Sequence, residues 1–518
     1  MNSNPFEPHE PEEQQPQSGI ESSDHPVSAE PMQAHASFQP PFMQTPDPQP
    51  PSNERFWNLP LIVLSWLIIV FICGVMFALV QVSYSIQEER KVSKFDLMQT
   101  NTTTRYTVGN LELFEISEDQ QGTMLASDGG QLLEQRFCKA ILINEVKGVE
   151  AAREYMADLE SLVEEIEFEL DEDQQQLFNL LDSLFADYAD FAWDAPSLDE
   201  NERVYLKDKL GWSGELALLP ESGPDQPARE LLLDQAKLTS IKILVAAVSV
   251  ILMGGFGVLS GMFLLVLLLA KKLNLHFVSQ KKHGGVYLET FALFLLSFLA
   301  LQFIAGIFGL PAALVPFAML SLVAVIVWPV IRGVSVSDML DDVGLRVKNP
   351  FKEIFAGLVG YLAATPFLAM AIIFVGIVML ISTQMEGGNE LSPPTGPSHP
   401  IQEEIAESNS VMPILGILFT ACVVAPILEE IMFRGLLYRY LREFSHRWAF
   451  WGSVAFSCIV NALLFAMIHP QGLLGIPMLA TLAVSFSLAR EWRDSLIAPM
   501  VMHAINNFLV TGMLLIML

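Results

Sequence analysis

Apolar runs of about 20 residues, long enough to cross roughly 30 Å of hydrocarbon as a helix, recur along the chain. They fall near 58–82, 241–270, 288–309, 311–331, 354–382, 411–434, 448–468, 472–489 and 495–517. The pattern predicts an all-α fold, a polytopic membrane helix bundle of about eight or nine transmembrane helices. The breaks around Gly309-Leu310-Pro311 and His469-Pro470 make those pairs the weakest spans. Between the first two runs the pattern changes. In "REYMADLESLVEEI" apolar side chains fall at 155, 156, 159, 162, 163 and 166, and in "LFNLLDSLFADYADF" at 177, 181, 184, 188 and 191. Both series keep a helix period, separated by "ELDEDQQQ", so a mainly helical extramembrane insert containing a helical hairpin is expected. Residues 1–56, with "EPHEPEEQQPQ" and "QPPFMQTPDPQPP", show no apolar period. Such a segment cannot bury enough surface to offset its chain entropy and reads as a disordered tail.

Charge sharpens this division. The 518-residue chain is 52% hydrophobic yet carries a formal net charge of -29. Residues 1–56 hold nine acidic and one basic residue, residues 88–237 hold 34 and 13, and the remainder holds 15 of each and is neutral. The expected organisation is a tail (1–56), a first anchor (57–83), an acidic insert (84–239), a second transmembrane helix with a basic loop (240–284) and a membrane domain (285–518). The first apolar run begins too late for an ordinary cleaved signal peptide, so it is expected to be retained. Loops at 271–283, 332–353, 434–447 and 490–494 hold nearly all of the body's Lys and Arg, and 383–410 holds none. Nine spans then place the basic loops and the N-terminus in the cytoplasm and the insert outside, in a multi-pass protein of the cell membrane. The acid excess points away from nucleic acid and toward the lipid bilayer as partner. The insert's acidic residues read first as a solvated face, with calcium or a protein partner as the minor reading. The four cysteines give no disulfide framework or Cys-based metal site.

Charged groups inside apolar spans are costly, about 2.5–3.5 kcal/mol each at a helix centre, and mark function more often than packing. Glu289 stands close enough to a basic loop to be interfacial. Glu429 and Glu430, in "ILEEIMFRG" (427–435), do not. Glu430 and Arg434 are four apart and share a face, so they can pair, which leaves Glu429, rotated about 100° away, for another partner. An unpaired carboxylate in a low-dielectric site suits a proton acceptor. "LLFAMIHP" places Phe465 and His469 four apart, and "MHAINN" places His503 and Asn507 four apart. One carboxylate, two imidazoles and a carboxamide from three spans could surround one water. A lone histidine or a juxtamembrane charge cluster would be unremarkable; three such stretches together are not. Intramembrane Glu and His also mark transporters and proton relays, although no internal repeat or paired broken helices support that reading.

These stretches resemble the signature of the CAAX prenyl protease and bacteriocin-processing family (CPBP, or Abi, membrane proteases). Its pattern of Glu-Glu-x-x-x-Arg, Phe-x-x-x-His and His-x-x-x-Asn reads here as Glu429-Glu430-x-x-x-Arg434, Phe465-x-x-x-His469 and His503-x-x-x-Asn507. The resemblance covers roughly residues 285–518 and leaves out the tail and the insert. It implies a type II CAAX prenyl protease-like intramembrane endopeptidase, a hydrolase acting on membrane-associated, prenylated or peptide-precursor substrates. By position, Glu429 and His469 would activate water, and His503 and Asn507 would stabilise the oxyanion. Glu430, Arg434 and Phe465 would support the site. Family members are often labelled metalloproteases, and Glu429, His469 and His503 could ligate zinc; without His-Glu-x-x-His, chemistry that requires no cofactor is the expectation. A protease-derived scaffold is the remaining alternative. The serine of "GVLSG" (257–261) lacks the Gly-x-Ser-Gly spacing of rhomboids, and no aspartyl Gly-x-Gly-Asp motif occurs in the sequence.

One difficulty is geometric. Measured from the turn near Ser445, Glu429 lies about 24 Å up its helix and His469 about 36 Å up the next, at about 1.5 Å per residue. They can meet only if the second helix begins later or the helices tilt.

Overall fold

The computed structural model describes residues 56–86, 93–125, 132–190, 197–273, 275, 277, 282–310, 314–385, 404–405 and 411–517. The acidic tail before residue 56, Phe191 and nearly all of 383–410 beyond Met385 lie outside the described residues. The described residues form helices and turns, with no strand. Among the described residues eight helices are long and apolar enough to cross a membrane, as expected of a multi-pass protein.

The first is α1 (Leu59–Ile86). Seven helices of the insert follow: α2 (Lys94–Leu113), α3 (Glu118–Leu125), α4 (Leu133–Lys147), α5 (Val149–Glu165), α6 (Glu172–Ala189), α7 (Glu200–Leu210) and α8 (Trp212–Ala217). Helices α5 and α6 are the two read from periodicity. They bury Met156, Leu159 and Val163, and Leu177, Leu181, Leu184 and Tyr188, in one core with Phe137, Cys138 and Phe185. The hairpin is thus part of a larger helical unit. Its helix starts are set by short polar side chains. Ser93, Asp171 and Asp199 each accept the backbone N–H three residues on, and the side chain at that third position returns a bond to the cap. The core is dry enough that burial pushes the Cys138 thiol up to about 12.

Helix α9 (Gln226–Leu269) runs 44 residues without a break. It begins in the insert, where Arg229 pairs with Glu145, and continues as the second apolar span. The boundary expected at 239/240 therefore falls inside one helix. Beyond it, α10 (Gly284–Phe308) leads to the region expected as a fourth span at 311–331. That region is a broken helix, α11 (Val315–Ile331), too short to be a long span by itself. Pro316 and Pro329 each withhold a backbone N–H, and residues Leu322–Ile326 tighten into a 3-10 turn. It nevertheless returns the chain along α10: Arg332 and Trp328 both donate to Glu289, in the second turn of α10. Glu289 is thus a buried ion-pair partner rather than an interfacial charge.

The remaining elements are α12 (Val336–Val343), α13 (Pro350–Met385), α14 (Val411–Phe444), α15 (Phe450–Met467), α16 (Gly472–Arg493) and α17 (Ile497–Met517). The basic loop expected at 434–447 shrinks to residues 445–449, because α14 continues through Phe444. Three of its four arginines are buried and individually neutralised, Arg434 by Glu430, Arg439 by Asp342 and Glu443, and Arg442 by Glu491, while Arg447 stays exposed. Arg490, likewise buried, pairs with Asp494, and Arg493 pairs with Glu353. The end of the bundle where these residues gather, called the basic end below, is therefore tied together by internal ion pairs.

Candidate active site

Glu429 sits in a short α-helical stretch, Ala425–Glu430, set between two π-helical ones, Thr420–Val424 and Ile431–Leu437. A π-helical turn widens the helix and frees carbonyls from the usual ladder, and such turns gather at functional sites. Each of these turns has a carbonyl taken by an asparagine from another helix. Asn507 Nδ2 donates to Ala421 O at 2.7 Å, and Asn461 Nδ2 to Phe433 O at 2.8 Å. Pro426, at the start of the central stretch, leaves a further ladder position without a donor.

The widened helix turns both glutamates inward for different partners. Arg434 Nη1 donates to Glu430 Oε1 at 3.0 Å, and both side chains are fully buried. Arg434 Nη2 donates to Ala483 O at 3.1 Å, and its guanidinium carbon lies 4.7 Å from the Phe465 ring centroid and 5.1 Å from that of Phe486. Glu430 Oε1 also receives His503 Nδ1 at 2.9 Å. Glu429 faces the two imidazoles: its Oε2 stands 3.7 Å from His469 Nε2 and 3.9 Å from His503 Nε2. Among protein atoms this buried oxygen has no hydrogen-bond partner.

The ring protons follow from the neighbours. His469 Nδ1 meets Phe465 O at 2.6 Å. A carbonyl only accepts, so Nδ1 carries the proton and neutral His469 presents a bare Nε2. His503 Nδ1 meets a carboxylate, so its neutral form likewise presents a bare Nε2. Three acceptors thus converge on one space at separations too long for direct hydrogen bonds. The separations also exceed the roughly 3.3–3.5 Å between neighbouring ligands of a tetrahedral zinc ion with bonds of about 2.0–2.1 Å. Among the described residues no group of three or more His, Cys, Asp or Glu side chains is arranged to hold a metal. Burial grades outward: Glu430 and Arg434 are sealed, His503 is 6% exposed, and Glu429 and His469 are each 18% exposed, which marks the open edge.

The height difficulty eases with the late start of α15 at Phe450. From there His469 is about 28 Å up, against about 22 Å for Glu429 counted from Phe444, which about halves the mismatch.

Of the residues expected at the site, Glu429, His469 and His503 come together, with Glu430, Arg434 and Phe465 behind them. Asn507 reaches the first π-helical turn, and Asn506 Nδ2 donates to its Oδ1 at 3.3 Å. Two neighbours escaped the sequence reading. Phe486 stacks on His503, centroids 5.3 Å apart and rings inclined 25°. A phenylalanine in an apolar helix gives no signal of this. Asn461 did give one, as a carboxamide within "SCIVNALLF".

Residues 411–509 match the family of type II CAAX prenyl endopeptidases described as Rce1-like. The resemblance read from the motifs thus holds over a shorter stretch than 285–518, but one that contains all three motifs. The chain is 31% identical over 168 residues to the membrane-embedded CAAX protease MroQ of Staphylococcus aureus (strain USA300), covering 32% of this chain and 59% of that protein. It is 27% identical over 137 residues to an uncharacterized 24.3 kDa protein of Escherichia coli, covering 26% and 56%. The chain therefore spans less than two thirds of either relative. No solved structure matches the chain.

Proposed function

We propose that the protein is an intramembrane endopeptidase that hydrolyses peptide bonds of membrane-associated, prenylated or peptide-precursor substrates. The observation that carries this reading is the convergence of Glu429 Oε2, His469 Nε2 and His503 Nε2 within 3.9 Å, from three separate segments. Water held between Glu429 and His469 gives up a proton to the carboxylate as its oxygen attacks the scissile carbonyl. His503, charged when it donates at both ring nitrogens, uses Glu430 as counter-ion at Nδ1 and turns Nε2 toward the oxyanion. Asn507 spends one amide hydrogen on Ala421 O and keeps the other for the same task. One such donor is worth about 10²–10³ in rate. The Glu429 proton then passes to the departing amine, the C–N bond breaks, and the carboxylate is restored. Metal-independence and the cytoplasmic placing of the basic end belong to the same proposal.

Membrane peptidomics of cells carrying the wild-type, Glu429→Ala or His469→Ala chain tests it. Peptides that depend on the wild type disappear in both variants, and purified enzyme cleaves the corresponding substrate at an unchanged rate after chelation with EDTA and phenanthroline. Identical peptide profiles in all three strains would overturn the reading, and loss of cleavage on chelation, restored by zinc, would overturn its metal-free form.

A further inference from the structure

Two helix faces join the site to the basic end. On α14 Glu430, Arg434, Tyr438 and Arg442 recur every fourth residue, and all are buried. On α15 Ser453, Ser457 and Asn461 do the same, and the series ends at Phe465 and His469. Successive i,i+4 residues adjoin on a helix surface, so each series forms a connected stripe that winds slowly round its helix. The two faces meet at several heights: Arg442 Nη1 donates to Ser453 Oγ, Tyr438 Oη lies 3.7 Å from Cys458 Sγ, and Asn461 donates to Phe433 O. Glu491 of α16 closes the seam at the basic end, accepting from Tyr438 at 2.9 Å and from Arg442 at 2.5 Å.

Packing alone does not account for this seam. Ser457 Oγ, Asn461 Oδ1, Arg434 Nε, Glu430 Oε2 and Glu429 Oε2 are buried and have no hydrogen-bond partner among the protein's atoms. Each such group left dry costs about 1–3 kcal/mol, and the set contains donors and acceptors, as water requires. Arg434, Glu430 and Asn461 each use other atoms in bonds within the protein, yet these particular atoms find no protein partner. Hydrolysis also consumes one water per bond, in a site walled by apolar helices.

We propose that the seam between α14 and α15 is a file of buried water leading from the basic end, past Ser457 and Asn461, to Glu429. This deepens the peptidase reading by naming where its co-substrate enters, but the hydration itself does not depend on that reading.

The test is X-ray hydroxyl-radical footprinting of the full chain in lipid nanodiscs, where radiolysis of bound water oxidises the side chains it touches. Tyr438, Cys458 and Phe465 along the seam are labelled despite their burial, whereas Phe137 and Phe185, equally buried in the insert core, are not. Ser457→Val and Asn461→Leu each reduce the seam labelling, and Ser457→Thr preserves it. With a cleavable substrate, Ser457→Val lowers kcat about tenfold, with KM unchanged. Seam labelling no greater than that of Phe137 and Phe185, or labelling unaltered in both Ser457→Val and Asn461→Leu, would overturn the proposal. Footprinting and cleavage assays of the wild-type chain together separate the two readings. A labelled seam in a chain without peptidase activity supports the water file and removes the peptidase; a dry seam in an active peptidase removes the file alone.

Discussion

The insert and the membrane body turn opposite kinds of residue outward, and the body adds a set of buried charges to its apolar core. In the insert, Phe137, Leu181 and Phe185 fill the centre and carboxylates cover the outside. In the body, Arg434 and Arg490 are the largest fully buried side chains, while leucines, isoleucines and phenylalanines cover the outside. Both follow one rule: a side chain faces the medium that solvates it, water around the insert and lipid around the body. The inversion changes what a buried residue means. In the insert a buried side chain reports stability, and in the body a buried charge reports an arrangement that something must neutralise.

Substitutions that should be severe in one region and silent in the other put this inversion to the test. The largest effect is expected for Arg434→Met, which leaves the Glu430 carboxylate buried without its cation and costs about 3–5 kcal/mol. Arg153→Met, on the exposed face of α5, changes stability by less than about 0.5 kcal/mol. Segment-resolved hydrogen exchange should show the first opening α14 and the second opening nothing; equal effects would break the comparison. Next comes the apolar counterpart. Phe185→Ala removes a fully buried ring from the insert core and costs about 3–4 kcal/mol, whereas Phe374→Ala, on the outer face of α13 at 57% exposure, is close to neutral in thermal unfolding in bilayers.

The smallest effect concerns Asp342 on α12, outside the long spans. Burial by itself would raise its pKa, but the His283 hydrogen bond, the Arg439 charge and the Tyr287 hydroxyl outweigh it and hold the group below its ordinary value of 3.8. A depressed carboxylate stabilises the fold above the unfolded pKa, and this contribution is lost as pH falls through the folded value. Asp342→Asn therefore lowers the free energy of unfolding by about 2 kcal/mol, an amount that stays constant from neutrality to about pH 5. The gap to wild type closes below pH 3.8, and a gap that persisted there would assign the loss to packing.

The same contrast governs how much could be read from the chain beforehand. Helices α5 and α6 were legible because water on one side and core on the other imprint a period. Spans were legible as apolar length, and the site through charges too costly to be lipid-facing. What escaped was whatever depends on partners distant in sequence. Arg439 and Arg442 resemble loop charges until Asp342 and Glu491 are placed beside them. The π-helical turns leave no mark on an apolar run, because the carbonyls they free are taken up by Asn461 and Asn507 from other helices. The early start of α9 was hidden by "QPARELLLDQAK", whose charges suggested a surface segment rather than the head of a span.

That unbroken α9 has a mechanical consequence. At about 1.5 Å per residue it is a rod roughly 66 Å long, clamped at both levels. Gly109 of α2 fits against Ala236 and Ser240 near its head, and its own Gly257 notches onto Leu362 and Thr365 of α13, with no room at either place for so much as a methyl group. The insert therefore cannot swivel freely on a tether. Whatever pulls or twists it works a lever whose fulcrum rests on α13, the helix that packs Gly357 and Gly360 against Val501 and Met502, one turn from His503.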